Sequence, residues 1–162
     1  MNYNVPKVGI IVKAVMTAGT PRAGRVFLAE IARAHSGPER LEEMLNQSEP
    51  FIPLSGKGNF SILNKRHLVY LTTSDRGEID YYRNLITIAR REDVRLILRG
   101  RKALSGTLLI EMPMGMDRVL DYLNSQRVFL PLLVGKLLAL VNCSSIVSLT
   151  PTKLISAKKR RT

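Results

Sequence analysis

The chain has no tryptophan, one cysteine (Cys143) and two histidines in 162 residues. A lone thiol excludes an intrachain disulfide. One cysteine with two histidines also falls short of a structural zinc site built from four cysteines or from two cysteines and two histidines. Aromatic residues are 6% of the chain, so an aromatic platform for stacking bases is poorly supplied. Long hydrophobic runs are also missing. The most apolar stretch, Val128 to Val141 (VFLPLLVGKLLALV), is interrupted by Pro131, Gly135 and Lys136. It is too short to cross a bilayer and reads as buried core. The early run VGIIVKAVM is cut by Lys13 and precedes no convincing cleavage site. These absences predict a cytoplasmic, reducing setting and no membrane span.

The marks of an enzyme are sparse. SGKGNF (Ser55 to Phe60) lacks both the Walker spacing and a following helix, so it is no phosphate loop. Cys143 follows Asn142 in a predicted turn, and His67 sits at a nearly equivalent turn earlier in the chain. A nucleophile needs a base within reach, and a lone cysteine is usually inert. No carboxylate pair recurs in a way that suggests acid–base work. The expectation is no catalysis, no cofactor and no metal.

Acidic residues are scarce in the second half. Residues 1–81 hold ten Lys/Arg against eight Asp/Glu, whereas residues 82–162 hold fifteen against five. The net charge of +12 is therefore concentrated in one half, which suggests a polyanionic partner. Hydrophobic content of 45% and charged content of 23% suit a packed globular chain.

The chain also repeats itself. LNQSEPFIPL (Leu45 to Leu54) returns as LNSQRVFLPL (Leu123 to Leu132). Gly37–Leu71 lies on Gly115–Leu149 without a gap, and ten of 35 positions are identical, where average composition gives roughly two or three. This is a tandem duplication of two small units. In the second unit, Val94–Leu98 and Ser105–Glu111 alternate as strands around the turn Gly100-Arg101-Lys102. Met116–Asn124 has helical spacing, Lys136–Val141 reads as a strand, and Ile146–Leu149 as a last short strand. The first unit repeats the order: strands Val8–Met16 and Gly24–Ile31, helix Pro38–Asn46, strands Phe60–Leu63 and Leu68–Thr72. Five short elements per unit, mostly antiparallel strand, indicate a small β-barrel.

The residues shared by the two copies read as folding instructions. Arg40/Glu43 and Arg118/Asp121 lie three apart on their helices, a spacing for a structural ion pair. Asn46 and Asn124 suit left-handed C-terminal caps. Phe51/Phe129 and Leu54/Leu132 read as core anchors, and Pro53/Pro131 as fixing the exit from each helix.

VRLILRGRKALSG and LLALVNCSSIVSLTP resemble the two Sm signatures: alternating apolar residues, a glycine turn and a small-residue–Gly pair, then an apolar strand, Asn142 and a closing strand from Ile146. The chain is similar to the Sm-like fold of the Sm, LSm and Hfq proteins, and to a group of bacterial Sm-like proteins with an inserted Arg…Asp…Leu-Asn helix segment. The resemblance implies a mainly β chain with short helices (α+β), built as two tandem Sm-like small β-barrels, each with an inserted helix. The first unit would span 1–74, a linker with Tyr81, Leu85 and Ile88 at helical spacing 75–93, the second unit 94–152, and a basic tail 153–162. The resemblance also implies RNA contacts at the turn before the last strand, where the first unit carries Lys65, Arg66 and His67. The second unit has Asn142-Cys143-Ser144-Ser145 there, without a basic residue. Edge strands that join chains in such proteins would here pair either within the chain or between copies in a homo-oligomer.

Arg90, Arg91, Arg95, Arg99, Arg101 and Lys102 place six cations in thirteen positions, and Lys158, Lys159, Arg160 and Arg161 stand near the end of the chain. Such a set can track phosphates by counterion release. The sequence therefore predicts a non-catalytic binding protein whose partner is nucleic acid, RNA foremost. The alternative is a protein-interaction adaptor with no nucleic-acid ligand. Basic residues on one continuous face favour the first; exposed apolar patches near the inserted helices favour the second.

Overall fold

The architecture is that of a computed structural model, which describes residues 7–112, 115, 118–125 and 127–153. The first half runs β1 (Lys7–Met16), β2 (Arg22–Ala29), α1 (Leu41–Asn46), β3 (Phe51–Ser55), β4 (Phe60–Asn64) and β5 (Leu68–Thr73). After α2 (Arg76–Leu85), the second half repeats it as β6 (Arg90–Leu98), β7 (Lys102–Ile110), α3 (Val119–Asn124), β8 (Phe129–Val134), β9 (Leu137–Asn142) and β10 (Ile146–Pro151). Short 3-10 turns, Lys65–His67 and Cys143–Ser145, precede β5 and β10. The chain is thus mainly β with three short helices among the described residues. These ten strands belong to one antiparallel sheet, in the order β10-β6-β7-β8-β9-β5-β1-β2-β3-β4.

The order is the duplication written in space. In each half the first strand pairs with both its hairpin partner and the last strand: β1 with β2 and β5, β6 with β7 and β10. Gly24 opposite Val12 and Gly106 opposite Val94 occupy the same place in the two halves. A Cβ on Gly24 would lie 2.7 Å from the Ser55 carbonyl oxygen, and one on Gly106 2.4 Å from that of Leu133. Strands cross too closely there for any side chain, which is why a glycine interrupts an otherwise apolar strand. Asn64 and Asn142 open the two 3-10 turns identically, each Oδ1 accepting from the amide two residues on at 3.0 Å.

The halves join where β5 pairs with β9: Tyr70↔Val141, Leu71↔Leu140, Thr72↔Ala139 and Thr73↔Leu138. Side chains cross this junction. The first core, around Val12, Val26, Leu41, Leu45 and Leu71, takes in Phe129 and Leu140. The second, around Val94, Leu96, Leu108 and Leu132, takes in Val15 and Val69. Each fully buried aliphatic or phenyl group contributes about 1.5–3 kcal/mol, so the halves hold each other in place. Ile79 and Tyr82 of α2 pack on Leu109 and Leu138.

Several expectations are corrected. Phe51 and Phe129 begin strands, and Pro53 and Pro131 lie within them, opposite Ile62 and Leu140. A proline is tolerated because β3 meets β2 at one pair only, Arg25↔Ser55, so its missing N–H breaks little of a ladder. The linker is shorter than 75–93. The α2 stripe ends at Leu85, with Ile88 exposed, and β6 starts at Arg90, its buried Glu92 keeping the alternation among charged neighbours. Asn46 and Asn124 are the last helical residues, and the positions after them are extended (φ −67° and −64°). Neither helix therefore ends in a left-handed cap. Phe129 is a core residue, but Phe51 is exposed.

Candidate nucleic-acid interface

The cations singled out by sequence divide into a surface set and a structural set. Arg91, Arg95 and Arg99 alternate outward along β6 and its end, while Val94, Leu96 and Leu98 turn inward. At about 3.3 Å per residue the row spans about 26 Å. None of the three has a carboxylate within ion-pair distance among the described residues. Asp93 lies between two of them and accepts from the Thr107 hydroxyl at 2.7 Å. Arg90, at the start of the strand, is 3.5 Å from Glu92.

The row leads to a rim where both halves meet. Arg99 donates its N–H to the Ser145 carbonyl at 2.8 Å and its guanidinium to that of Ser144 at 3.3 Å. The next turn holds Gly100 and Arg101 at φ 80° and 61°, and Arg101 is the one non-glycine in the left-handed region among the described residues. Lys102 then reaches into the first half, its Nζ donating to the Met16 carbonyl at 3.0 Å. The neighbouring Thr17 amide donates to the His67 carbonyl at 2.8 Å, and Arg66 and His67 are both exposed. Two segments distant in sequence, 65–67 and 99–102, thus converge on the end of β1.

Lys65 does not belong to the free set. It is buried, and its ammonium donates to the Met44 and Gln47 carbonyls at 3.2 and 2.9 Å, closing the open end of α1. Burial lowers its pKa, partly offset by Glu49. The expectation that Lys65 meets a ligand is therefore corrected: it caps a helix. Lys158, Lys159, Arg160 and Arg161 lie outside the described residues.

Of the repeat pairs, the Arg–acid pairs stay local, and asparagines reach across the seam between the halves. Arg40 lies 3.2 Å from Glu43 and stacks 4.1 Å above the Tyr81 ring; Arg118 lies 3.6 Å from Asp121 at the start of α3. Glu43 also accepts from the Arg40 amide at 2.7 Å and meets His35 at 2.6 Å. Asn46 does what no local reading could show. Its Nδ2 donates to the Glu42 and Phe129 carbonyls (3.0 and 3.1 Å), and its Oδ1 accepts from the Val128 and Phe129 amides (3.0 and 2.9 Å). Asn142 returns the contact, donating to the Lys65 and Leu68 carbonyls at 3.3 and 2.9 Å.

Between α1, α2 and α3 lies a cavity of about 260 Å³ that the sequence did not announce. Glu42 is its hub: it accepts from Tyr82 and pairs with Arg127 at 2.8 Å, and Arg127 lies over the Tyr122 ring. Burial pushes the Tyr122 hydroxyl up to about 12. Glu78, beside this network, accepts from the Leu41 amide at 3.0 Å, and burial pushes it up to about 7. Cys143 is partly buried and burial raises its thiol pKa, which depletes the reactive thiolate. No cluster of three His, Cys, Asp or Glu side chains that could hold a metal occurs among the described residues.

Compared with known proteins, the chain matches no family model, no curated protein and no solved structure. No helix among the described residues is long and apolar enough to span a membrane.

Proposed function

We propose that the protein is a non-catalytic nucleic-acid binder, with RNA as the foremost ligand, built on two small Sm-like β-barrels. The barrel reading is supported by the strand order, since in each half the first strand pairs with both its hairpin partner and the last strand, and each half packs on a core that also takes in side chains of the other. The nucleic-acid reading rests on one observation: Lys102 and the Arg66-His67 turn are both tied to the end of β1, and Arg99, Arg95 and Arg91 continue from the Lys102 hairpin along β6. A continuous cationic track with few aromatics reads backbone and shape, not base identity. Arg101, held in a sparsely populated backbone region at this rim, is the kind of local strain that accompanies function.

The test is fluorescence anisotropy with labelled single-stranded RNA and duplex DNA across a salt series, with heparin as competitor. Support is a preference for one nucleic acid at physiological salt, and a triple variant (Arg95→Ala, Arg99→Ala, Arg101→Ala) that lowers the slope of log K against log[salt] by about 2, at ~0.7 per phosphate contact to a single strand. Equal binding to every polyanion, abolished near physiological salt, overturns the reading. The adaptor reading then takes its place, favoured by the exposed Leu120 on α3 and by Phe51, Phe60 and Ile62.

A further inference from the structure

Another cavity, of about 430 Å³, opens where the β1–β2 hairpin meets the start of α2. Its floor is apolar. Val8, Ile10 and Leu28 line it, and Val8 is 45% exposed although it continues the inward face of β1. Its polar wall is acidic: Glu39, Asp75 and Glu78 stand against one cation, Arg40, and one histidine, His35. In a chain of net charge +12, an acidic hollow runs against the general field, which repels cations from the surface at large.

Most of this charge is already committed. Glu39 accepts from the Ala29 amide at 2.9 Å and from the Gln47 side chain at 2.6 Å. Arg40 is held by Glu43 and the Tyr81 ring, and His35 by Glu43. Two acceptors are not committed. Asp75 precedes α2 without capping it by its side chain, and its carboxylate has no hydrogen bond or ion pair among the described residues. Glu78 is 6% exposed; its Oε1 accepts from the Leu41 amide, while its Oε2 is buried without a partner. Other sheltered glutamates have a guanidinium beside them: Glu42 has Arg127 at 2.8 Å, Glu43 has Arg40 at 3.2 Å and Glu92 has Arg90 at 3.5 Å. Glu78 is the most deeply buried of the four and has none among the described residues.

We propose that this cleft binds a primary ammonium carried on a short alkyl chain, the ammonium donating to Glu78 Oε2 and the Asp75 carboxylate while the chain lies on Val8, Ile10 and Leu28. The two acids are three residues apart around the first turn of α2, a spacing that sets side chains next to each other. A metal ion fits poorly, since no third His, Cys, Asp or Glu joins them in a metal-holding group among the described residues, and it would leave the apolar floor unused. The start of α2 carries about +0.5 of dipole charge, which two carboxylates outweigh. Oε2 is shut off from water, so docking turns the Glu78 carboxyl slightly into the cleft that it lines. Burial pushes Glu78 up to about 7. An ammonium selects the ionised form, so binding releases a proton and tightens as pH rises. The groups facing Glu78 are Asp75 and Tyr82 from its own helix, Arg40 and Glu42 from the start of α1, and His35 in the wall of the cleft. Two sources present the required chemistry, a free aliphatic amine and the lysine side chain of a peptide. The proposal is independent of the nucleic-acid reading.

The test uses the full chain, nuclease-treated so that no bound nucleic acid takes up the amine. Isothermal titration calorimetry is run with pentylamine, with N-acetyl-lysinamide, and with pentanol as the uncharged control. At about pH 8 pentylamine is expected to bind one-to-one with a Kd on the order of 1 mM, within reach of so small a ligand, and pentanol about 10-fold more weakly or worse. At about pH 6 the amine should bind about 10-fold more weakly than at pH 8, as one linked proton near pH 7 requires. Glu78→Gln keeps an oxygen for the Leu41 amide. It should weaken pentylamine about 10-fold or more at pH 8 and abolish the pH dependence, which separates Glu78 from His35. Asp75→Asn, a conservative change at a partly exposed position, should weaken binding by roughly 3-fold. Tighter binding of N-acetyl-lysinamide than of pentylamine supports the proposal with a lysine side chain as the occupant, and the reverse order supports it with a free amine. No binding of either amine up to about 50 mM at pH 8, pentanol binding as well as pentylamine, or an affinity unchanged by Glu78→Gln or by pH each overturns it.

Discussion

Replacing Asn46 by alanine tests the seam between the halves directly. The side chain makes four hydrogen bonds, three of them to the backbone of Val128 and Phe129. Val128 is exposed, so water can replace the asparagine at its amide. Phe129 is fully buried, and Asn46→Ala strips its N–H and C=O of this partner. An orphaned buried polar group costs about 1–3 kcal/mol, and a water entering the vacated volume recovers part of it. The expected loss is about 2–4 kcal/mol, a fall in Tm of roughly 5–15 °C for a chain of this length. The same change at the repeat position, Asn124→Ala, removes an exposed side chain with no such bonds and should cost under about 0.5 kcal/mol. Both are best measured by urea unfolding. A loss below about 1 kcal/mol for Asn46→Ala, or equal losses at the two sites, refutes the reasoning that one asparagine is a clasp and its copy is idle.

Gly106→Ala forces a methyl to within 2.4 Å of the Leu133 carbonyl oxygen and should destabilise by about 1–3 kcal/mol or more, read from the urea midpoint; Gly24→Ala should do the same with a smaller penalty. Glu78 has its pKa raised from 4.5 to about 7, chiefly by burial. The folded state therefore keeps a proton that the unfolded chain releases. The stability this contributes is fully present below about pH 4.5 and is lost as pH rises through 7. Glu78→Gln keeps an oxygen for the Leu41 amide and removes the charge. It should be more stable than the wild type at about pH 8, by up to about 3 kcal/mol, with little difference at about pH 4; a pH-independent difference refutes the assignment.

The strands are legible wherever alternation is unbroken, as in Val94–Leu98 and Lys7–Met16, and the duplication itself can be read from ten identities. The strands begun by Phe51 and Phe129 are hidden by their prolines, because the rule that proline avoids strands ignores how little ladder those strands need on one side. Arg90 and Arg91 look like linker because the buried partner in their alternation is Glu92, a residue whose burial depends on neighbours remote in sequence. Asn46 is readable as shared between the copies but not as a clasp, since its partners lie 82 and 83 residues away. Lys65 looks like a ligand contact for a related reason. A lysine in a basic turn reads as solvated unless the carbonyls of a helix end, 18 and 21 residues earlier, are known to lie beneath it. Of the basic set, Arg95 and Arg99 share one outward strand face as their spacing suggests, but the tie of Lys102 to the end of β1, where His67 is also bound, requires the junction of the halves.

That junction also sets a timetable for synthesis. β5 is complete at Thr73, but its partner β9 ends at Asn142, about 70 residues later. At ~5–20 residues per second the ribosome takes roughly 4–14 s to supply it. Through that interval the nascent first half presents an unpaired strand and an uncovered Val69, with the places of Phe129 and Leu140 in its core still empty. The first half is thus made as an incomplete domain whose missing wall is encoded downstream, and a second nascent chain nearby offers the same wall in trans.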